Sequence, residues 1–410
     1  MRIFTAVRHS NNPNFYYGRL WSNNFHPALK ELGHEVIESQ VDLLPASHFM
    51  GIADNFTQQE LAVRDRITEE IITELKQVHQ QQPIDLFLSY FYNSHFNPDG
   101  FEEIHKLGIP TINYYCNSIY QFDLVSDISS KVNFAWHAEK EARDSYLKVG
   151  ANPVWVQMGA DPKVYHPSNG KNKESKACFV GQRYADRDRW MASLIEEQIP
   201  VDIYGPGWGK GNSPAKRKSS EQNRPEYLGR EQIKPKSSQS YLNVVCQNIR
   251  NSNLVSGLIR TGRQIQYRQV TKNLSPLFVN FAKGAIPFQE ICGVFSSYEV
   301  VLNFSNVWAD GRSGSELIPH VRLRDFEAPM CRSCYLTGYT DEIAQFYEIG
   351  KEIDTYRTKE ELVDKTKYYL NHPEAAEKLR EAGYQRALRD HTWKARFQQL
   401  FREVELAASV

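Results

Sequence analysis

The chain has 410 residues, of which 41% are hydrophobic, and its mean hydropathy is −0.56. This length exceeds one ordinary core and favours two domains of about 150–200 residues each. Lysine and arginine together number 49, as do aspartate and glutamate, so the formal net charge is zero. This balance excludes a chain that is basic or acidic throughout, and it indicates no particular partner.

The composition also bears on the compartment. No apolar run approaches the roughly 18 residues that span a membrane, and the first residues lead directly into a strand rather than a signal peptide. Six cysteines are scattered through the chain, which is typical of reduced thiols in a cytoplasmic protein. Cys331 and Cys334 form a lone CxxC with no further zinc ligands close by in sequence, so neither a metal site nor a cofactor is expected.

The N-terminal part, residues 1–160, alternates apolar strands with amphipathic helices. Strands are predicted at Met1–Val7, just after Gly33, and at Ile84–Tyr90, 109–115, Phe134–Trp136 and Val154–Gln157. Helices are predicted at Ser22–Leu32, Gly100–Leu107 and Glu139–Lys148. Strands separated by helices favour a parallel, doubly wound sheet, so this half reads as a Rossmann-like domain.

The pattern begins again after a turn-rich linker, which is placed at residues 161–175. In the second domain, residues 176–390, strands are predicted at Ala177–Gly181, Val201–Gly205, Val300–Asn303 and Cys334–Thr337. Helices are predicted at Asp188–Glu197, Thr358–Leu370 and Pro373–Asp390, and residues 391–410 hold a last helix at Trp393–Val404. The second domain is therefore also expected to be Rossmann-like.

One stretch of the second domain is unusually basic. Residues 207–283 contain 14 lysines and arginines but three glutamates, and residues 209–283 are interpreted as an insertion. A solvated surface explains such a stretch, and so does binding to an anionic acceptor, a membrane surface or nucleic acid. Both interpretations stay open, and the second allows a peripheral association with membranes.

The most informative motif is the run from Pro319 to Thr337. Arg322 and Arg324 lead into a helix start, and a strand follows. Arginine offers planar N–H donors to phosphate oxygens. Glu327 would be repelled by phosphate, so it is interpreted as an acceptor for ribose hydroxyls.

This motif resembles the nucleotide-sugar end of GT-B glycosyltransferases, in particular the CgeB-like (spore-maturation) branch, in which Arg-x-Phe-Glu precedes a small-residue turn and a strand. The matching residues are Arg324, Phe326 and Glu327. The resemblance extends to the linker and to the His391-Thr-Trp393 tail. It implies two Rossmann-like domains facing a central cleft, with the C-terminal helix packed back on the N-terminal domain.

The resemblance also implies an activity. The expected reaction is a metal-independent transfer of a sugar, of the hexosyltransferase type (EC 2.4), from a nucleoside-diphosphate sugar to a hydroxyl-bearing glycan, lipid, small molecule or protein. The donor-binding residues that it implies are Gly181, Arg183, Arg187, Gly205, Arg322, Arg324 and Glu327. Retaining members often carry an earlier glutamate where this chain has Pro319, so the neighbouring His320 is assigned a catalytic, sugar-facing role and the stereochemistry stays open.

The acceptor is expected at loops that follow strands of the first domain. The acceptor-binding candidates after the first strand are His9, Tyr17, Gly18 and Trp21. A general base for hydroxyl activation is most often histidine or a carboxylate. His95 is the first candidate for this catalytic base, followed by His9 and Asp123.

Two alternatives stay open. The nearest is an epimerase of the same fold that acts on the nucleotide sugar itself. The other is a non-catalytic protein that keeps the fold and binds nucleic acid or a membrane through the basic insertion, with a steep dependence on salt.

Overall fold

A computed structural model of the chain describes residues 1–12, 16–168, 173–209 and 254–406, and within them no side chains are described for residues 16, 17 and 254–256. The chain forms two compact units. The first comprises Met1–Gly159 together with the segment that begins at Thr392, and the second runs from Ala160 to His391. Residues 169–172 of the predicted linker and residues 210–253 of the predicted insertion lie outside the described residues.

The first unit is built on a six-stranded parallel sheet in the order β2-β1-β3-β4-β5-β6. Its strands are β1 (Arg2–Ala6), β2 (Glu35–Glu38), β3 (Leu86–Ser89), β4 (Thr111–Tyr115), β5 (Phe134–His137) and β6 (Pro153–Trp155). Its helices before the second unit are α1 (Leu20–Glu31), α2 (Gln58–Gln81), α3 (Gly100–His105), α4 (Ser118–Gln121), α5 (Ser126–Ser129) and α6 (Arg143–Lys148). All the predicted strands of this half are confirmed.

The long helix α2 was not predicted. It begins with a capping box, in which the Thr57 hydroxyl accepts from the backbone N–H of Glu60 and the Glu60 carboxylate accepts from the backbone N–H of Thr57. Ile67, Ile71 and Leu75 recur at helical spacing and are buried. Because each turn of α2 buries so few apolar side chains, its stripe is narrow and the charged residues around it obscure the pattern.

The last helix, α13 (Trp393–Glu403), completes the core of the first unit. The Trp393 and Phe397 rings lie 4.9 and 5.2 Å from the ring of Phe25 on α1, and Trp136 packs against Phe397 at 5.5 Å. Edge-to-face aromatic contacts of this kind stabilise beyond the burial of area. The expected packing of the C-terminal helix on the N-terminal domain is confirmed.

The second unit has a parallel sheet of six strands in the order β14-β13-β10-β7-β8-β9 and an antiparallel hairpin, β11-β12. The sheet strands are β7 (Glu174–Val180), β8 (Val201–Tyr204), β9 (Ala282–Gly284), β10 (Tyr298–Asn303), β13 (Tyr335–Gly338) and β14 (Asp354–Tyr356). The hairpin strands are β11 (Asn306–Trp308) and β12 (Leu317–Pro319). The helices are α7 (Arg187–Glu196), α8 (Leu254–Leu274), α9 (Ile291–Ser297), α10 (Arg324–Met330), α11 (Lys359–Asn371) and α12 (Pro373–Asp390).

The strand order reverses direction between β7 and β10, because the chain proceeds outward from β7 first through β8 and later through β10. In open parallel sheets, ligands bind outside the carboxyl ends of the strands at such a switch point. The loops that follow β7 and β10 are therefore the expected place for a ligand.

The described end of the predicted basic insertion is regular structure. Residues Leu254–Leu274 form a 21-residue helix, and β9 pairs with β8 as the edge strand of the sheet. The predicted insertion therefore overlaps the sheet at Ala282 and Lys283, and its bounds stay a prediction. Within the described ranges, no helix combines the length and the apolar character that crossing a membrane requires.

Candidate functional site

The two loops at the switch point are held together by side chains. Asn306, which begins β11 just after β10, donates from its amide to a carboxylate oxygen of Asp186 at 2.7 Å. The backbone N–H of Trp308 donates to the Tyr184 hydroxyl at 3.3 Å. The segment between β7 and α7 and the hairpin after β10 are thereby fixed to each other.

Asp325 fixes the start of α10 in the same region. Its side chain is buried and accepts from the backbone N–H of Arg322 at 2.7 Å and from the hydroxyls of Tyr335 and Thr337 at 2.8 and 3.0 Å. Burial raises the pKa of Asp325, while these hydrogen bonds act in the opposite direction. Sequence reasoning passed over Asp325, although an aspartate in the first turn of a helix is a recognised capping signal.

Two arginines at this edge, Arg187 at the start of α7 and Arg322 before α10, lie close enough for their charges to interact. Burial, and then the charge of Arg322, lower the pKa of Arg187 to about 9. Arg187 donates from Nη1 to the carbonyl oxygen of Gln182 at 2.9 Å, and Arg322 donates from Nη2 to that of Asn306 at 3.0 Å.

Neither arginine forms an ion pair with a carboxylate anywhere in the described ranges, and the Nε of each is buried without a hydrogen-bond partner there. Carboxylates act on both arginines as well, since the charge of Asp186 raises the pKa of Arg187 and the charge of Arg322 lowers the pKa of Asp325. The structure brings these two predicted phosphate contacts together.

Arg183 differs from this pair because its guanidinium group forms an ion pair with a carboxylate and hydrogen bonds to two further residues. It is buried in an ion pair with Asp188 at 3.0 Å, and Nη1 donates to the Ser275 hydroxyl at 2.9 Å. Its Nη2 also donates to the carbonyl oxygen of Thr271 at 2.5 Å. Arg183 thus ties the loop after β7 to α8, and its predicted contact with phosphate stays a prediction.

The strand-end glycines are close to protein atoms. A Cβ on Gly205, whose φ is +128°, would lie 2.3 Å from the carbonyl oxygen of Gly181. A Cβ on Gly181 would lie 2.6 Å from the Phe179 ring. The close backbone approach that these glycines permit is between the ends of β7 and β8, and an approach to the donor stays a prediction.

Glu327 and Arg324 form a separate pair on α10. Arg324 Nη1 lies 2.7 Å from one carboxylate oxygen of Glu327, and the Tyr165 hydroxyl donates to the other at 2.5 Å. The Arg324 guanidinium also lies 5.0 Å from the centre of the Phe295 ring. Tyr165 was assigned to the linker, so its contact with Glu327 was missed. A carboxylate that already accepts two hydrogen bonds is held in one orientation.

His320 lies at the end of β12 and is buried. Its backbone N–H donates to the carbonyl oxygen of Ser305 at 3.1 Å. Burial, followed by the nearby charge of Arg322, lowers the pKa of His320 to about 3. The imidazole is therefore neutral at physiological pH.

The predicted acceptor residues lie in the first unit, where β1 and β3 end. The backbone N–H of His9 donates to the carbonyl oxygen of Gly18 at 2.8 Å, and Nε2 of His9 donates to that of Tyr90 at 2.6 Å. The rings of His9 and His95 lie 4.4 Å apart. The structure thus brings His9, Gly18 and His95 together.

His95 is fully buried. Its Nδ1 accepts from the backbone N–H of Tyr92 at 3.2 Å, and its Nε2 lies 3.0 Å from the Ser47 hydroxyl. Burial lowers the pKa of His95 well below its usual value, and the charge of His9 acts in the same direction. Its predicted role as a base stays a prediction, although a base works best when its pKa lies near the working pH.

The remaining acceptor-side candidates differ in position. Trp21 packs against Phe25 and Tyr114 with ring centres 5.4 and 4.8 Å away, and it is 6% exposed. Its indole is part of the buried core, and its predicted contact with the acceptor stays a prediction. Asp123 is exposed and its carbonyl oxygen accepts from the Asn93 amide, and the side chain of Tyr17 lies outside the described part.

Both units are six-stranded parallel sheets with helices, and the whole arrangement is the GT-B fold of glycosyltransferases. Residues 272–402 match the family described as Glycosyl transferase-like. That match includes β10, the hairpin, α10, β13 and most of α13, but does not reach β7, α7 or residues 1–159 of the first unit. No curated protein sequence matches the chain.

Solved structures resemble nearly the whole chain. A sucrose-phosphate synthase from Thermosynechococcus elongatus is 13% identical with a TM-score of 0.52, and the similarity covers 100% of each chain. A glycosyltransferase from Rickettsia africae ESF-5 is 10% identical with a TM-score of 0.54 over 99% of each chain. Anabaena HepE, solved in complex with UDP and glucose, is 9% identical with a TM-score of 0.51 over 99% of each chain. These similarities establish the shared fold.

Proposed function

We propose that the protein is a glycosyltransferase that moves a hexosyl group from a nucleoside-diphosphate sugar to a hydroxyl-bearing acceptor. The observation that carries the proposal is the pair formed by Arg187 and Arg322 at the switch point, each without a carboxylate partner within the described ranges. The match of residues 272–402 to a glycosyltransferase family supports it, since that segment contains Arg322 and α10.

In this proposal the diphosphate of the donor lies against the two guanidinium groups. Negative charge grows on the leaving diphosphate as the glycosidic bond breaks, so positive charges already in place lower the barrier. They would do what a metal ion does in enzymes that use one, which is why the proposed reaction is metal-independent. Arg324 would add a further phosphate contact.

Glu327 is proposed to accept hydrogen bonds from the ribose hydroxyls. Its two partners in the second unit, Arg324 and Tyr165, hold the carboxylate in place, so little freedom is lost when a ribose binds. The nucleobase stays open, and the complex of Anabaena HepE with UDP makes a uridine donor the first to test. His320, neutral and beside Arg322, would face the transferred sugar as a hydrogen-bonding group.

The test is a nucleotide-release assay over UDP-, GDP-, dTDP- and CDP-sugars with the wild-type protein and Glu327→Ala. We expect slow hydrolysis of one donor, lost in the variant. Tyr368→Ala is a matched surface control because Tyr368 is 48% exposed and far along the chain from α10. A donor that is turned over equally by Glu327→Ala would contradict the ribose assignment.

Free nucleotides separate the remaining outcomes. If no sugar donor turns over but one nucleoside diphosphate raises the melting temperature, the donor site is supported and an acceptor is required for turnover. No response to any nucleotide would overturn the donor site. Interconversion of the sugar without release of nucleotide would identify the epimerase instead.

The acceptor side needs its own experiment because His95 is buried. If His95 is the base, His95→Gln should abolish transfer to an acceptor while the slow hydrolysis of the donor persists. If its role is structural, both rates and the melting temperature should fall together. His105→Gln is a suitable control, since the His105 ring lies 2.9 Å from the Thr111 hydroxyl at the start of β4, whereas His95 follows the end of β3.

A further inference from the structure

The outer face of α8 concentrates exposed apolar side chains. Of the six large apolar side chains that are exposed in the described ranges, four lie in or just after this helix. They are Leu258 (52% exposed), Ile259 (53%), Ile265 (44%) and Val279 (40%). Exposed apolar groups that cluster in this way mark a site of interaction, whereas single ones are ordinary.

The inner face of α8 is anchored, and this fixes which side of the helix faces outward. The Thr271 hydroxyl donates to Asp188 at 3.0 Å, and Arg260 forms an ion pair with Asp310 at 2.7 Å. The Tyr267 ring lies 5.1 Å from that of Trp308. At about 100° per residue, Leu258 and Ile265 are on the side opposite to these contacts, and Ile259 lies about 100° further around the outer face.

The charge on this helix has one sign. No aspartate or glutamate occurs between Leu254 and Leu274. Arg263, Arg268 and Lys272 are exposed and have no ion-pair partner within the described ranges. At about 100° per residue, Arg268 and Arg263 fall at the two edges of the outer face that holds Leu258, Ile265 and Ile259.

We infer that the outer face of α8, defined by Leu258, Ile259, Ile265 and the three cations, is a docking surface for the anionic surface of a lipid membrane. A helix that lies in a membrane interface places apolar side chains at the centre and cations at the flanks. The long arginine and lysine side chains then reach lipid phosphates while the aliphatic groups enter the acyl boundary.

Nucleic acid is the other anionic partner that such cations fit, but it does not account for the aliphatic side chains. Nucleic-acid surfaces use cations for phosphates and aromatic rings for bases. Leu258, Ile259 and Ile265 offer neither. The inference goes beyond the proposed function, and it does not depend on it, since α8 up to residue 271 lies outside the segment that matches the glycosyltransferase family.

The experiment is flotation of the full chain with vesicles of phosphatidylcholine, with and without phosphatidylglycerol, at low and at physiological salt. We expect binding to the anionic vesicles that weakens as salt rises. Two triple variants divide the surface: Leu258→Gln/Ile259→Gln/Ile265→Gln removes the apolar stripe, and Arg263→Gln/Arg268→Gln/Lys272→Gln removes the charge. Each should weaken partitioning at least about tenfold.

The matched control is Leu147→Gln/Lys148→Gln on α6, because Leu147 is 48% exposed and its neighbour is an exposed cation. This variant should bind vesicles as the wild type does. All substituted side chains are exposed, and an unchanged melting temperature confirms that each variant is folded.

Three results would overturn the inference. The first is no binding to anionic vesicles at low salt, which would mean that another part of the chain or a protein partner covers the face. The second is binding that neither triple variant weakens. The third is tighter binding to duplex DNA or RNA than to vesicles, lost in the charge variant and kept in the apolar one.

Discussion

The carboxyl ends of the two parallel sheets differ in charge, and the two sheets also differ in strand order. In the second unit, this edge holds Arg187 and Arg322. In the first unit, the corresponding edge holds His9 and His95, whose rings lie 4.4 Å apart. In the proposed function the cationic edge would hold the donor diphosphate and the neutral edge the hydroxyl-bearing acceptor, so the strand-end side chains would distinguish the two ligands.

The difference follows from how each side chain responds to burial. Burial lowers the pKa of His9 to about 4, so this histidine is neutral at physiological pH. Burial also lowers the pKa of Arg187, but to about 9, so the guanidinium keeps its charge. Arginine is the cation that can be buried without a counterion and still be charged when its ligand arrives.

The largest effect is expected from removing one charge of the cationic edge. Arg322→Gln should lower donor turnover by about two to three orders of magnitude, as loss of a preorganised transition-state contact does. The melting temperature without ligand should not fall, because relief of the repulsion with Arg187 offsets the lost hydrogen bond to Asn306. Steady-state kinetics and thermal denaturation measure the two quantities.

The control for this variant is Arg389→Gln, which removes an arginine that is 64% exposed in the same unit. It should leave turnover unchanged. Equal losses in both variants would mean that net charge, and not the placement of Arg322, governs donor binding.

A smaller effect is expected from lowering the pH. It should reduce the stability of the first unit more than that of the second. Burial lowers the pKa of His9, His26 and His137 to about 4, and that of His95 well below its usual value. The unfolded chain takes up these protons below about pH 6.5, while the folded chain stays neutral until about pH 4. The free energy of unfolding should therefore fall by about 1.4 kcal/mol per histidine and pH unit as the pH drops through this window.

Hydrogen exchange at pH 7 and pH 5, corrected for intrinsic rates, measures this loss of stability. The strands to compare are β3 and β4 of the first unit and β10 and β13 of the second. His320 is the histidine of the second unit with a comparable shift, to about 3. The double variant His9→Gln/His95→Gln should reduce the acid sensitivity of the first unit. The comparison fails if both units lose stability equally between these pH values.

The smallest effect is expected at two matched helix caps. Thr392 accepts from the backbone N–H of Ala395 at 3.1 Å and starts α13 in the first unit. Thr358 accepts from that of Glu361 at 3.2 Å and starts α11 in the second. Each alanine variant should lose about 1 kcal/mol, and hydrogen exchange should rise in the first unit for Thr392→Ala and in the second for Thr358→Ala.

The alternation of apolar strands with amphipathic helices was enough to predict the first sheet and four strands of the second, because a buried parallel strand is a nearly continuous apolar run. The short edge strands β9 and β14 and the hairpin were not predicted. Helix α2 was not predicted, because Ile67, Ile71 and Leu75 form a narrow apolar stripe among charged residues. The capping box at Thr57 was nevertheless visible in the sequence. Helix α8 was not predicted, because residues 209–283 were interpreted only as a basic insertion and no elements were assigned within them.

The site was predictable only in part. Arg322 and Arg324 stand out because they belong to one short motif, but sequence does not show that Arg322 acts beside Arg187 while Arg324 pairs with Glu327. The spatial partner of a charged residue is set by which strands are neighbours in the sheet. Trp21 looked like a binding aromatic for the same reason, since sequence does not show that α1 turns it toward Tyr114.

The position of α13 has a consequence for the order in which the chain is made. Phe25 and Trp136 emerge from the ribosome early, whereas Trp393 and Phe397, which cover them, emerge after the whole second unit. Domains generally fold as units in the order of their synthesis. Here the first unit begins to be synthesised first, but its folding can be completed only after the second unit has been synthesised. Until then its aromatic face is open to chaperones, and translation arrested before Thr392 would leave it so.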